Sequence, residues 1–286
     1  MSEPDDTPAG PSTGRHPEIS PSSQSEADAQ QYVVKSLSRG LSLLKLFDIE
    51  HPRWTLGDLV RGSGLHKATC YRLLRTLEQE GFVASDPGTS QYCLGAALVR
   101  IAILAQSNDE LVRAAQPYLS RLVEITGETV DMTVWNESGP LLVAQALSQR
   151  RWFQPVNTVG TVFTEAPTSH VKLWLAFGTD AQEHRLRSIL TADRQGRSAD
   201  SSLPDGELET VRLEGVAFDV GQAREVFSVA APVLDASGCM VAAIAVVAPF
   251  ERAGEAERDL CAAAVRQVTQ ALSRELGHLP EKAPHS

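Results

Sequence analysis

Cysteine is scarce and never paired. Cys70, Cys93, Cys239 and Cys261 stand far apart in 286 residues, which argues against a disulfide framework or a thiolate metal centre and leaves reduced core thiols as the expectation. The chain has no unbroken apolar run of about 18 residues, the length that spans a bilayer, and its start lacks the basic-then-apolar order of a secretory leader. No membrane association and a cytoplasmic location are therefore expected. A Gly-rich phosphate loop, a paired-His metal motif, a nucleophile elbow and a usefully spaced Cys-His pair are all missing, so neither catalysis, a metal nor a cofactor is expected. Positive charge is also in deficit. With 26 Lys and Arg against 36 Asp and Glu, the net charge is −10, which excludes a protein that coats nucleic acid indiscriminately. What remains is a soluble globular composition, 42% hydrophobic, on a chain long enough for two domains.

Residues 1–31 form an acidic tail rich in Ser and Pro, with Ile19 as the only large aliphatic residue after Met1. Such a segment cannot bury enough surface to offset its ordering entropy, so disorder is expected there. From residue 32 the pattern changes. Val34, Leu37, Leu41, Leu44 and Phe47 follow helical spacing, and a loop from Asp48 to Arg53 contains Pro52. Leu56, Leu59 and Val60 give a second helix an apolar face, and Gly62-Ser63-Gly64 breaks it. The next helix places Cys70, Leu73, Leu74 and Leu77 at i, i+3, i+4 and i+7 on one buried face.

The other faces of that third helix carry the chemistry. His66, Lys67, Ala68, Thr69, Tyr71, Arg72, Arg75 and Thr76 are the residue types that suit a major groove: Arg can bond two acceptors on a guanine edge, Thr a phosphate, and a small Ala permits close approach. Gly81-Phe82-Val83 ends the helix, and residues 84–94 read as a hairpin with Pro87-Gly88 at its tip, a wing. Across residues 32–95, Lys35, Arg39, Lys45, Arg53, Arg61, Lys67, Arg72 and Arg75 oppose Asp48, Glu50, Asp58, Glu78, Glu80 and Asp86, a net +2 within a chain of −10. Basic residues confined to one small face suit a dimer on a defined DNA site, with the acidic remainder weakening non-specific binding.

After the wing, residues 95–108 form an apolar linker helix with more greasy surface than one domain hides, which predicts dimerisation there. A second domain over 109–277 opens with a helix from Glu110 to Thr126, carrying Leu111, Ala115, Leu119, Leu122 and Val123 on one side despite Pro117. Val130–Trp135 and Leu141–Ala146 flank the turn Asn136–Gly139, and Phe227–Leu234 and Met240–Val247 flank Asp235–Gly238, so two hairpins are predicted. The second hairpin is almost wholly apolar, as a sheet covered on both faces requires. Between the hairpins lie helices near Ser169–Phe177 and Ala181–Leu190 and a polar loop from Asp193 to Leu203. A last helix, about Ala253 to Leu276, puts Leu260, Ala264, Val268, Leu272 and Leu276 on one face, and a short tail, 278–286, follows. The fold class is α+β, and antiparallel sheets with helices are common in sensor domains. An enzymatic or small-molecule-binding domain with the helix-turn-helix as a scaffold is the competing reading. The missing catalytic motifs weigh against it, and a third reading, a protein-interaction module without DNA affinity, is weakened by Arg72 and Arg75, which have no obvious structural duty.

Three segments carry a specific resemblance: LVRGSGLHKATCYRLLRTLEQEGFV, QYCLGAALVRIA and VAAPVLDASGCMVAAIAVVAP. Through them the chain after residue 32 resembles the IclR family of bacterial transcriptional regulators. That resemblance implies a winged helix-turn-helix, a linker helix and a GAF-like effector domain. It also implies a homodimer or tetramer on double-stranded operator DNA, controlled by a small organic effector. Residues matching the family's effector site are Thr168, Ser169, Asp219, Ser228, Ala245, Val247 and Trp174, with Val171-Lys172 where a Gly-Lys pair is usual. Ser228 replaces a common cysteine, and Ala245 and Val247 replace the serines of members that bind small keto acids. Fewer hydroxyls disfavour a small, highly charged acid, since each unmatched polar group costs about 1 to 3 kcal/mol. The expected effector is an aromatic or relatively apolar organic acid, with Trp152, Phe153, Phe163 and Trp174 as walls and Arg150-Arg151 as a possible carboxylate clamp. For these residues simpler roles stand beside the functional ones: aromatic residues usually pack in the core, Asp219 could serve a turn, and His170 could cap or pack.

Overall fold

The computed structural model describes residues 33–48, 51–148, 157–164, 168–193, 206–221 and 225–279. The tail 1–31, the segment with Arg150, Arg151, Trp152 and Phe153, the expected polar loop beyond Asp193 and most of the tail 278–286 lie outside the described residues. The chain divides into two compact units, Met1–Ile103 and Leu104–Ser286.

The first unit contains α1 (Lys35–Leu44), β1 (Arg53–Thr55), α2 (Leu56–Ser63), α3 (Lys67–Gln79), β2 (Val83–Asp86) and β3 (Gln91–Leu94). A capping box starts α2: the Thr55 hydroxyl accepts from the Asp58 backbone N–H while the Asp58 carboxylate accepts from that of Thr55. Helix α2 runs through Gly62 and Ser63 and stops only at Gly64, whose φ of +67° is the left-handed conformation that glycine adopts without strain. Leu43, Leu59, Cys70, Leu74 and Val83 form the core.

Two expectations are corrected here. Helix α1 is turned so that Gly40 and Leu43 face inward while Val34, Leu37 and Leu41 are exposed, and the helix ends at Leu44 before reaching Phe47. The cause is the packing of α1 on α3, which buries Gly40 beside Leu73 and turns Leu43 into the core. The end of the expected loop, Arg53, begins strand β1, which pairs antiparallel with β3 and makes the wing three-stranded in the order β1-β3-β2. Beyond the wing, Gly95 N–H donates to Phe82 O at 2.8 Å. A Cβ on Gly95 would sit 2.1 Å from Gly81 O, so only glycine fits this crossing. Helix α4, Ala96–Asn108, follows it, with Val99, Ile101 and Ile103 exposed.

In the second unit the elements are α5 (Glu110–Thr126), β4 (Thr129–Asn136), β5 (Gly139–Ala146), α6 (Ser169–Phe177), α7 (Asp180–Asp193), α8 (Glu207–Glu214), β6 (Ala217–Gly221), β7 (Val226–Leu234), β8 (Met240–Pro249) and α9 (Glu255–Glu275). The five strands form one antiparallel sheet in the order β5-β4-β8-β7-β6. Both predicted hairpins are present. Strand β6 and helix α8 were not foreseen. Helices α5 and α9 cover one face over Val130, Met132, Val229, Ile244 and Val246. The other face, with Ala230, Ala243, Ala245 and Val247, lies under α6. Coverage on both sides explains why β7 and β8 lack the alternation of a half-exposed strand. Two side chains depart from expectation: Leu260 is exposed because α9 turns Cys261, Ala264, Val265, Val268 and Leu272 inward, and Cys239 is an exposed thiol beside the β7–β8 turn. All four cysteines are free, and Cys70 and Cys261 are buried.

Candidate functional site

Helix α3 presents the first candidate surface. Its N-terminus is capped by His66, whose Nδ1 accepts from Ala68 N–H at 3.4 Å. Cys70 and Leu74 anchor the inner face at 0% exposure, so the outer face is set by geometry. His66, Lys67, Ala68, Tyr71, Arg72, Arg75 and Thr76 are exposed, and Thr69 is half-buried beside α1. The two arginines are not equivalent. Arg75 Nη1 donates to Glu78 at 2.7 Å, and Glu78 also accepts from Ser85 on the wing. The Arg72 side chain has no hydrogen-bond or ion-pair partner among the described residues, so its guanidinium is available to a ligand.

The second candidate lies between α6 and the sheet. Register aligns cross-strand rows on this face: Asp219, Ser228, Val247 and Thr129 form one, and Ala217, Ala230, Ala245, Asp131 and Gln145 the next. Thr133, opposite Ala243, starts a third. Alanines on the inner strands make a low floor, with polar groups at both margins. At one margin Ser169 and Ser228 hydroxyls lie 2.8 Å apart, and at the other Thr133 Oγ1 is 3.1 Å from His170 Nδ1 and accepts from Trp174 Nε1 at 3.4 Å. Thr168 is the N-cap of α6, accepting from Val171 N–H at 3.3 Å, which gives its hydroxyl a structural duty. Asp219, half-buried, lies on β6 opposite Ser228 and not in a turn.

Burial sets the electrostatics of this layer. Asp131 is 1% exposed, and desolvation pushes its carboxyl up to about 6 against the opposing hydrogen bond from Gln145 Nε2 at 2.7 Å. His170 is driven down to about 3 by the same cause and is neutral, with its Nε2 buried and unpartnered. Phe163 stacks beside it, ring centroids 4.7 Å apart, and Trp174 lies 5.5 Å from Trp135. Lys172 is the one buried Lys or Arg among the described residues, and it is occupied: its Nζ donates to Phe218 O at 2.6 Å and pairs with Glu207 at 2.5 Å. That pair ties α6 to α8, and Val171 beside it on α6 is packed at 0% exposure. No group of three or more metal-ligating side chains is present among the described residues, and no helix there is long and apolar enough to cross a membrane.

Comparison with known proteins decides the family. The model of the IclR helix-turn-helix domain matches residues 36–87, and that of the bacterial transcriptional regulator IclR C-terminal domain matches residues 104–274. The chain belongs to the IclR family. The glycerol operon regulatory protein of Streptomyces coelicolor is 31% identical over 248 residues, covering 85% of this chain and 97% of the relative. The regulator BhcR of Paracoccus denitrificans is 27% identical over 257 residues, covering 87% and 89%. An IclR transcriptional regulator structure from Silicibacter sp. TM1040 superposes with a TM-score of 0.72 at 27% identity, over 87% of this chain and all of that one, 100%. As an IclR regulator the chain is a winged helix-turn-helix protein acting on transcription, and the relatives named here are regulators and not enzymes.

For an IclR regulator the expected reading face is assembled as a surface, with Thr69 recessed and Arg75 tethered. Ser169, Ser228, Ala245, Val247 and Trp174 converge under α6, while Thr168 caps the helix. Asp131, Gln145 and Thr133 were missed. Their signal was partial: Asp131 and Thr133 alternate with Val130, Met132 and Val134 in β4, which puts both on one face, and the burial of that face comes from the fold.

Proposed function

We propose that this chain regulates a metabolic operon by seating α3 in the major groove of an operator, with Lys67, Tyr71, Arg72 and Arg75 as its principal contacts. The unpartnered, exposed guanidinium of Arg72 carries this reading, since a residue with no structural duty is free to bond a guanine edge or a phosphate. Two copies bind together: the modest local charge of one reading head and the exposed Val99, Ile101 and Ile103 on α4 both favour a homodimer, with a tetramer as its further assembly. Relatives named for the glycerol operon support a catabolic target. Footprinting the full-length protein on DNA flanking its own gene tests the reading. A protected palindrome is expected, and a folded protein that protects nothing there and shows no salt-sensitive shift would overturn it.

The effector is a small organic molecule held between α6 and the Ala245–Val247 floor. The apolar body anticipated from the sequence is supported by Ala245, Val247, Trp174 and Phe163, all buried here. Effector binding alters the population of dimer arrangements and so the spacing of the two α3 helices, which requires different affinities for the two states. Spin labels on α4 with and without effector should report a changed distance. An unchanged distance would count against this route.

A further inference from the structure

We propose that the effector is recognised through neutral hydroxyl groups, with His170 and Asp131 as specificity-determining residues, and not through a carboxylate. This rests on the reading of the layer under α6 as the effector site.

The case begins with what the layer offers a ligand. On β4, Asp131 and Thr133 are two residues apart and share the face beneath α6, while Ala243 and Ala245 lie directly opposite them on β8. An incoming carboxylate would approach the Asp131 carboxyl, which at 1% exposure is shielded from bulk solvent, a setting where like charges repel more strongly than in water. The buried cation that would offset it, Lys172, is already engaged by Glu207 and Phe218 O. His170 supplies no charge either, because burial keeps its ring neutral.

The hydrogen-bond directions fit a hydroxyl. Trp174 N–H only donates, so Thr133 Oγ1 accepts from it and keeps its own proton to give. If that proton goes to His170 Nδ1, Nε2 carries an N–H with no acceptor. If Nδ1 holds the proton and donates to Thr133, Nε2 is a bare acceptor. A hydroxyl satisfies either form, since it donates and accepts, and it donates equally well to Asp131. A carboxylate can only accept, and an ammonium can only donate. The Ser169 and Ser228 hydroxyls, bonded to each other at 2.8 Å, supply the same two-way chemistry at the opposite margin. A molecule with an apolar body and one or more hydroxyls therefore matches floor and margins together.

The test uses the full-length protein and two skeleton-matched series: 1,2-propanediol, lactate and 1-amino-2-propanol; and benzyl alcohol, benzoate and benzylamine. Calorimetric titration should find an alcohol binding at least tenfold more tightly than its acid and amine counterparts. His170→Phe keeps the ring and its contact with Phe163 and should weaken the alcohol about tenfold, with operator binding in a mobility shift reporting that the protein remains folded. Ser228→Ala gives a second variant, expected to weaken the alcohol several-fold, should His170→Phe not fold. Tighter binding of an acid overturns the inference while leaving the site reading intact. Tighter binding of an amine also overturns it. If no member of either series binds, the site reading falls with it, and DNA recognition by α3 is left to the footprint.

Discussion

Replacing Asp131 by Asn should stabilise the protein near neutral pH by an amount that vanishes in acid. The Asp131 carboxyl is 1% exposed, accepts one bond from Gln145, and is pushed by burial from 3.8 to about 6. Between those values the folded chain binds the proton more tightly than the unfolded chain does. Wild-type stability therefore falls as pH rises through this window, and the whole cost is present above it. At about 1.4 kcal/mol per pH unit, the displacement from 3.8 to about 6 corresponds to about 3 kcal/mol. Asn nearly preserves the volume and keeps an oxygen for Gln145 Nε2, so the difference isolates the charge. His170 has the opposite dependence: its pKa is lowered from 6.5 to about 3, so its contribution is full above the upper value and is lost as pH falls toward the lower one. It titrates in both proteins and cancels when one is subtracted from the other. Urea unfolding of both full-length proteins should be followed from about pH 4 to 8, at one protein concentration because association adds to apparent stability. The variant-minus-wild-type difference should be flat above about pH 7 and fall by about 3 kcal/mol toward pH 4. A difference that ignores pH, or one that grows in acid, would refute desolvation as the dominant influence on Asp131.

Other perturbations separate surface from core. Arg72→Ala should weaken operator binding by about 1 to 3 kcal/mol in a mobility-shift titration, with the melting temperature unchanged. Arg75→Ala should cost less binding, because Arg75 must first leave Glu78; a larger loss for Arg75 than for Arg72 would reverse their assigned roles. Leu74→Ala, at 0% exposure, should destabilise the first unit by about 2 to 5 kcal/mol in denaturant unfolding and remove DNA binding only as a consequence. Lys172→Met leaves Glu207 unpaired beneath α6 and should cost about 1 to 3 kcal/mol, less than a fully buried pair because Glu207 is 26% exposed. A neutral result there would mean that the Lys172 stem, and not its charge, holds α6 to α8.

Legibility in the sequence followed the length and independence of each signal. Helix α3 was readable in full because Cys70, Leu73, Leu74 and Leu77 repeat at helical spacing and the polar residues occupy the remaining positions. Strand β1 was not, because three residues carry too little alternation and their pairing with β3 is decided by residues far along the chain. The face of α1 was misjudged for a related reason: Leu37, Leu41 and Leu43 are all apolar, and which of them turns inward is settled by packing against α3, far along the chain.

The layer under α6 shows the same limit in another form. Ser228, Ala245 and Val247 were identified from family resemblance, residue by residue. Thr133 and His170 meet across 37 residues of sequence, and Asp131 meets Gln145 across 14. A buried carboxyl reads in sequence as any Asp, and a neutral, half-satisfied histidine reads as any His. Only the register of β4 on β8 places the carboxyl over the alanine floor, and only the seating of α6 brings His170 to Thr133. The same alanines that suggest a less polar layer when counted singly lie between two polar margins. Alanine and valine at positions 245 and 247 therefore do not make the layer apolar: its polar groups sit on β4, β7 and α6, at Thr133, Ser228, Ser169 and His170.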